Sequence, residues 1–271
     1  MKPAPFRYHR PGSLAEALAL LSQLGDAKLI AGGQSLAPMM NMRLVSPAAL
    51  IDLNGIAGLD GISERNGFVE IGALARHHAV ANSSVVKTHC PLLAQAAGAI
   101  GHYAIRARGT LGGSLAHADP AAQLPLVAAT LNAEIVLAGK RGERRIAARD
   151  FFVSLMSTAL APDEIIVAAR FPKSAPRERC AYTQFSRRTG DFALVGVACT
   201  LGSDGLTLGI GGVEDKPLVF ADFGTTDAAS VAHAVRERVS PAENPRVPAV
   251  FRKELVEILT RRAIQQCTSS N

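Results

Sequence analysis

The sequence predicts an α+β protein in two parts, a larger one over residues 1–173 and a smaller one over residues 177–271. Three observations carry that prediction. Helix-patterned and strand-patterned runs alternate as far as Phe171. A connection rich in proline and charge, Pro172-Lys173-Ser174-Ala175-Pro176-Arg177, then interrupts them. Beyond it, sheet-like runs come first and two helical runs last. With 48% of its residues apolar and 19% charged, a chain of 271 residues can bury two modest cores and is too apolar for disorder.

Ser13 followed by Glu16 reads as a capping box, and Leu14, Leu18, Leu21 and Leu24 repeat at helical spacing before Gly25, so an amphipathic helix opens the chain. Lys28-Leu29-Ile30-Ala31 reads as a buried strand entering a turn, Gly32-Gly33-Gln34-Ser35, in which adjacent glycines allow positive φ. Leu50 to Leu53 and Phe68 to Ala73 read as further strands. Pro91 to Ala97 reads as a helix with proline in its first turn. A second glycine turn, Thr110-Leu111-Gly112-Gly113-Ser114, precedes a helix near Leu124 to Leu131 and strands at Ala133 to Leu137 and Glu164 to Phe171. In the smaller part, strands are expected at Ala193 to Leu201, Leu206 to Ile210 and Leu218 to Phe220, then helices at Ser230 to Val239 and Phe251 to Ile264.

Composition excludes several function classes. No apolar run approaches the roughly 18 residues of a bilayer span and the N-terminus lacks an export pattern, so the cytoplasm is expected. Cys90, Cys180, Cys199 and Cys267 show no CxxC pairing, which argues against an iron–sulfur cluster or structural zinc and for inert thiols. The formal charge of +6 is scattered, and 3 Tyr with no Trp leave little to stack on nucleic-acid bases. His77-His78 and the set Cys90, His102 and His117 lack metal-ligand spacing, so no metal is expected. No spacing supports a general acid or base, and no catalytic residue is assigned.

The two glycine turns offer what a pyrophosphate needs, namely unobstructed main-chain N–H groups with hydroxyls from Ser35, Thr110 or Ser114 nearby. Taken singly, each also reads as an ordinary tight connection. Gly209-Ile210-Gly211-Gly212 lacks the last glycine of a Rossmann fingerprint, and Gly139-Lys140 lacks the preceding glycine of a Walker loop. A bound dinucleotide must therefore share its phosphates between two separated segments.

Three stretches occur in one order, Lys28 to Leu36 (KLIAGGQSL), Gly109 to Pro120 (GTLGGSLAHADP) and Phe185 to Ala193 (FSRRTGDFA). With Pro5-Phe6-Arg7-Tyr8, Phe151-Phe152 and Pro162-Asp163-Glu164-Ile165, they resemble the medium, FAD-binding subunit of the xanthine dehydrogenase and carbon monoxide dehydrogenase class, over nearly the whole chain. The resemblance implies a two-lobed FAD-binding domain of the vanillyl-alcohol-oxidase/PCMH type over residues 1–173, then a C-terminal domain of antiparallel sheet plus helices over 177–271. It implies non-covalent FAD held between the lobes, with Leu29, Ile30, Ala31, Gly32, Gly33, Gln34, Ser35 and Leu36 and with Thr110, Gly112, Gly113 and Ser114 around the diphosphate and ribityl chain. By the same resemblance Ala118, Asp119 and Gln123 after the second segment are further cofactor-binding residues, Leu160 is expected at the adenine end, Asp191 and Phe192 near the flavin ring, and Gln184 among the cofactor contacts. His117 and Asp119 are secondary candidates, Asp119 serving equally as a helix cap, and Arg106 with Arg108 can counter phosphate charge or face solvent.

Three positions depart from the family pattern. Gln123 stands where many relatives have an acidic residue, Gln184 where lysine is frequent, and Phe192 where tyrosine is common, so a carboxylate contact to the adenosine part is not carried over. The implied function is relay of electrons within a heterotrimer, from a molybdopterin-binding large subunit and a 2Fe–2S small subunit to an external acceptor such as NAD, a quinone or oxygen. The competing readings are a stand-alone FAD-dependent oxidase or dehydrogenase and a nucleotide-binding scaffold without redox function.

Overall fold

The computed structural model describes residues 2–269. Its first sheet contains β1 (Arg7–His9), β2 (Ala27–Ile30) and β3 (Ala49–Asp52), parallel and ordered β1-β3-β2. Parallel neighbours need crossover connections, and these carry α1 (Leu14–Gln23) and α2 (Leu36–Asn41). Ser13 caps α1 by accepting from the Glu16 N–H, while Glu16 Oε2 accepts from Gly12 N, one residue before the N–H that a capping box uses. Ala17, Ile51 and Leu53 form the small core under this sheet, with Leu14, Leu18, Leu21 and Leu24 packed around it.

A second lobe is built on an antiparallel sheet of β4 (Ile62–Arg65), β5 (Phe68–Gly72), β6 (Glu134–Gly139), β7 (Gly142–Ala147) and, after a ribbon of β8 (Phe152–Ser154) and β9 (Ser157–Thr158), the central β10 (Ile165–Pro172). Its order is β4-β5-β10-β6-β7. The β4–β5 hairpin was signalled by Asn66-Gly67, both at positive φ (50° and 81°), the pairing that a two-residue turn of type I′ requires. Helices α3 (His77–Asn82), α4 (Ser84–His89), α5 (Pro91–Gly98), α6 (Tyr103–Arg106), α7 (Leu111–His117), α8 (Gln123–Thr130) and α9 (Ala148–Phe151) complete the lobe. Pro91 occupies the first turn of α5, where its missing N–H costs nothing. Phe151, Phe171, Ile71, Ile135 and Leu137 meet Leu92, Leu93, Leu111 and Leu124 in the largest core.

Residues 173–178 contain no helix or strand. They lead to a third, antiparallel sheet of β11 (Arg179–Phe185), β12 (Val195–Gly202), β13 (Gly205–Gly211) and β14 (Leu218–Phe220) in chain order. One face packs on α10 (Ala228–Arg238) and α11 (Ala249–Ser269) through Val197, Leu208, Ile210, Val235 and Leu259. The opposite face meets the fully buried α8: a Cβ at Gly209 would stand 1.9 Å from Thr130 Oγ1, and one at Gly211 would stand 3.1 Å from Leu126 Cδ2. Glycine alternation in β13 thus admits a helix rather than a nucleotide.

The α+β architecture agrees with the sequence prediction. One local expectation needs correction. The second glycine segment is not a turn, because Leu111 to His117 form helix α7. The four cysteines are free thiols, and the Sγ atoms of buried Cys199 and Cys267 lie 3.5 Å apart across β12 and α11. Among the described residues, no helix is long and apolar enough to cross a membrane.

Candidate functional site

A cleft of about 540 Å³ opens where the three sheets converge, a volume in the range of small-molecule and cofactor sites. Its lining includes the whole run 28–36 at the end of β2 and residues 109–110, 112–114 and 116–117 around α7. Asp119, Ala122 and Gln123 follow, and Leu160, Ile165 and Ile166 close one wall. Gly190, Asp191 and Phe192 reach in from the smaller C-terminal part.

The first segment is a donor array. Gly33 turns at φ 71°, a conformation that glycine adopts without penalty. Among the described residues, the main-chain N–H groups of Gly33, Gln34, Ser35 and Leu36 meet no protein acceptor. Ser35 precedes α2 without a side-chain capping bond, so its hydroxyl is uncommitted as well. Successive unpaired N–H groups around a positive-φ turn form a concave anion-binding nest. Gln34 folds its amide back onto the Gly32 carbonyl, 3.2 Å away, which stabilises the turn without using those donors.

The second segment works differently from its sequence reading. Leu111 N donates to Ala75 O at 3.0 Å, Gly112 N to Ala73 O at 2.8 Å, Gly113 N to Thr110 Oγ1 at 3.1 Å and Ser114 N to Thr110 O at 3.0 Å. Of the N–H groups expected to face phosphates, those of Leu111 to Ser114 are therefore engaged within the protein, and among the described residues that of Thr110 meets no protein acceptor. Thr110 and Ser114 both line the cleft, and the Thr110 hydroxyl already accepts the Gly113 N–H. Its glycines answer to packing: a Cβ at Gly112 would lie 2.6 Å from Ala73 Cβ, and one at Gly113 would lie 2.8 Å from Thr110 Oγ1.

Charge plays a small part in the lining. Lys28 is the one Lys or Arg side chain of the described residues that lines the cleft. Arg106 instead donates to the carbonyls of Ile100 (2.8 Å) and Gly101 (2.9 Å), and neither it nor Arg108 lines the site. Phosphate charge placed here would be met chiefly by main-chain dipoles. Asp119 caps no helix: its Oδ1 accepts from Ala121 N at 2.9 Å in a local turn, and Ala122 precedes α8.

Of the predicted site residues, Ala118 and Gln184 do not line the cleft. Ala118 is the buried left-handed C-cap of α7, at φ 49°. Gln184 lies behind Gln123, whose Nε2 donates to Gln184 Oε1 at 3.0 Å. The Tyr182 hydroxyl donates to the same oxygen at 2.8 Å, and burial pushes its pKa up, keeping it protonated. Two departures from the family pattern are thus partners: a neutral amide pair joins α8 to β11 where the resemblance suggested acid and base. Gly190, at φ 90°, sits so close to His102 that a Cβ would fall 2.5 Å from the imidazole, and this approach brings Asp191 and Phe192 to the rim.

Sequence reading gave His77 no role at this site. It is 7% exposed, its Nε2 is 2.9 Å from Thr110 O, and it lines the cleft. Burial, opposed by the Thr110 carbonyl and reinforced by nearby Arg76 and Arg106, lowers its pKa from 6.5 to about 4. A base whose folded pKa is depressed weakens the fold as the unfolded chain takes up protons. Stability is thus fully present above pH 6.5, falls as pH drops, and is at its lowest below about 4. The loss is about 1.4 kcal/mol per pH unit, roughly 3 kcal/mol in all. Urea midpoints at pH 7 and pH 4.5 should show this, and His77→Gln, which keeps a donor for Thr110, should remove that share of the slope.

Residues 4–174 match the model of the FAD binding domain in molybdopterin dehydrogenase. The chain is 38% identical to the nicotine 6-hydroxylase medium subunit of Paenarthrobacter nicotinovorans, covering 97% of this chain and 98% of that one. It is 35% identical to the carbon monoxide dehydrogenase medium chain of Afipia carboxidovorans, covering 98% of each. Among solved structures, it superposes on a chain of carbon monoxide dehydrogenase from Hydrogenophaga pseudoflava with a TM-score of 0.94, 35% identity and 99% of both chains covered.

Proposed function

This chain belongs to the family of FAD-binding domains of molybdopterin dehydrogenases and is an FAD-binding subunit of a multi-subunit oxidoreductase, and from that premise we propose that it stands between an iron–sulfur subunit and an external electron acceptor. Its partners on this reading are a molybdopterin-binding large subunit and a 2Fe–2S small subunit, and its acceptor is NAD, a quinone or oxygen. Bound FAD supplies a centre that exchanges electrons singly with clusters and in pairs with such an acceptor. The chain's own work is to bind, orient and enclose. Main-chain groups of residues 29–36 cradle the diphosphate and ribityl chain, and the hydroxyls of Ser35, Thr110 and Ser114 complete the cradle. Leu160 packs at the adenine end, while Asp191 and Phe192 border the flavin ring.

The observation that carries this reading is the run of uncommitted N–H donors from Gly33 to Leu36, turned by a positive-φ glycine on residues that line the cleft. A run of this kind suits the anionic oxygens of a diphosphate. When the purified chain is mixed with FAD and excess flavin is removed, a stoichiometric flavin spectrum should remain, and no oxidation of the complex's substrate should occur without partners. A chain that stays colourless, both alone and when co-produced with its partner subunits, would defeat the assignment. Substrate oxidation by the isolated chain would defeat the relay role.

A further inference from the structure

The two segments that face each other across the cleft belong to different lobes, and a pair of side chains outside the cleft ties them together. Asn54 follows β3 in the first lobe, and its Nδ2 donates to Ala31 O at 2.8 Å, the carbonyl immediately before Gly32. Arg76 precedes α3 in the second lobe, and its Nη1 donates to Arg108 O, the carbonyl immediately before Gly109. The two side chains also bond each other, Arg76 Nη2 to Asn54 Oδ1 at 2.6 Å. This fixes the amide orientation, because an oxygen must face the guanidinium and a nitrogen must face Ala31 and Asp52.

Behind them, Asp52 Oδ1 accepts from the main-chain N–H of Asn54 (2.9 Å) and from its Nδ2 (2.6 Å), and Asp52 Oδ2 accepts from the Tyr8 hydroxyl. Burial raises the Asp52 pKa, but these bonds outweigh it and keep the carboxyl ionised, below its ordinary range. The chain therefore runs without a break from Tyr8 to the Arg108 carbonyl. That carbonyl is also the atom that bounds the first turn, since a Cβ at Gly32 would lie 2.2 Å from it. None of Tyr8, Asp52, Asn54 and Arg76 lines the cleft.

We infer that Asn54 and Arg76 are a latch between the lobes, positioning residues that set the spacing of the 32–36 turn and the 108–114 segment and so determine how tightly FAD is held. This rests on the FAD-binding reading above. A guanidinium is suited to the task because its planar fork serves two acceptors at fixed separation, whereas a lysine ammonium is a point donor on a flexible stem.

The test compares the full chain with Asn54→Leu, Arg76→Met, the double variant and Arg76→Lys, measuring FAD dissociation constants at a temperature where circular dichroism shows every protein folded. Arg236→Met serves as a control, because it breaks an ion pair with Glu257 between α10 and α11, far from the latch in sequence. Asn54→Leu and Arg76→Met should each weaken FAD binding at least tenfold. The double variant should weaken it no more than the worse single one, since a latch opens once, and Arg76→Lys should fall between wild type and Arg76→Met. The control should melt earlier yet bind FAD as wild type does. Folded Asn54→Leu and Arg76→Met chains that bind FAD within twofold of wild type, or losses that add in the double variant, would overturn the latch while leaving the FAD assignment standing. A wild-type chain without FAD affinity overturns both.

Discussion

Gly32→Ala is expected to cost the chain its FAD, with affinity falling roughly a hundredfold, about 2.7 kcal/mol. A Cβ at residue 32 would stand 2.2 Å from Arg108 O and 2.8 Å from Gly109 Cα. Both are main-chain atoms, so no rotamer change relieves the overlap, and the two segments must separate. Separation withdraws the Gly33 to Leu36 donors from the hydroxyls of Thr110 and Ser114, and a ligand spanning both loses one set of contacts. Gly25→Ala is the matched control, since nothing lies within 4 Å of a Cβ there. Gly33→Ala should be milder: its Cβ would meet only side chains at 3.6 Å or beyond, and the cost is that of holding alanine at φ 71°, about 1–2 kcal/mol. Equilibrium dialysis with FAD ranks the three variants. A Gly32→Ala chain that retains wild-type affinity would show that the approach of the two segments has no bearing on the cofactor.

Arg170→Met should strongly destabilise the second lobe while leaving the cleft lining intact. Arg170 lies on the central strand β10 with 6% of its surface exposed. Glu70 on β5 and Glu134 on β6 flank it, and its guanidinium lies 4.2 Å from the centroid of the Phe68 ring. Removing the cation leaves two partly buried carboxylates side by side without compensation, which costs about 3 kcal/mol and lowers Tm by roughly 6–12 °C. Arg144→Met breaks an ion pair with Glu164 in which the arginine side chain is 44% exposed, and it should cost under about 1 kcal/mol. Thermal melts of the two variants side by side make the comparison, and equal losses would mean that burial does not govern these pairs. FAD affinity well below Tm should be unchanged in Arg170→Met.

How the chain could be read from sequence depended on the range of each signal. Helical leucine spacing before Gly25, proline at the start of α5 and the Lys28 to Ser35 strand and turn are local patterns, and they placed α1, α5, β2 and the glycine turn after β2 correctly. Strand β4 was missed although Asn66-Gly67 announced it. The short helices α3, α4 and α6 were missed because six residues or fewer carry too little periodicity to register. Thr110 to Ser114 was taken for a second donor turn because a glycine pair looks alike in both settings; helix α7 instead spends its N–H groups on Ala73, Ala75 and the Thr110 cap.

The sequence by itself determined that this is an α+β protein, where its conformationally free glycines fall, and, through three motifs in fixed order, the family to which it belongs. Those properties are encoded in neighbouring residues, in backbone freedom and in hydrophobic period. Only the tertiary structure decided which donors remain uncommitted, that Gln123 and Gln184 are bonded partners, that His77 is buried against Thr110, and that Asn54 and Arg76 tie two lobes together. Each of those depends on groups far apart in the chain, whose meeting is set by how sheets and helices pack and which leaves no local pattern in the sequence.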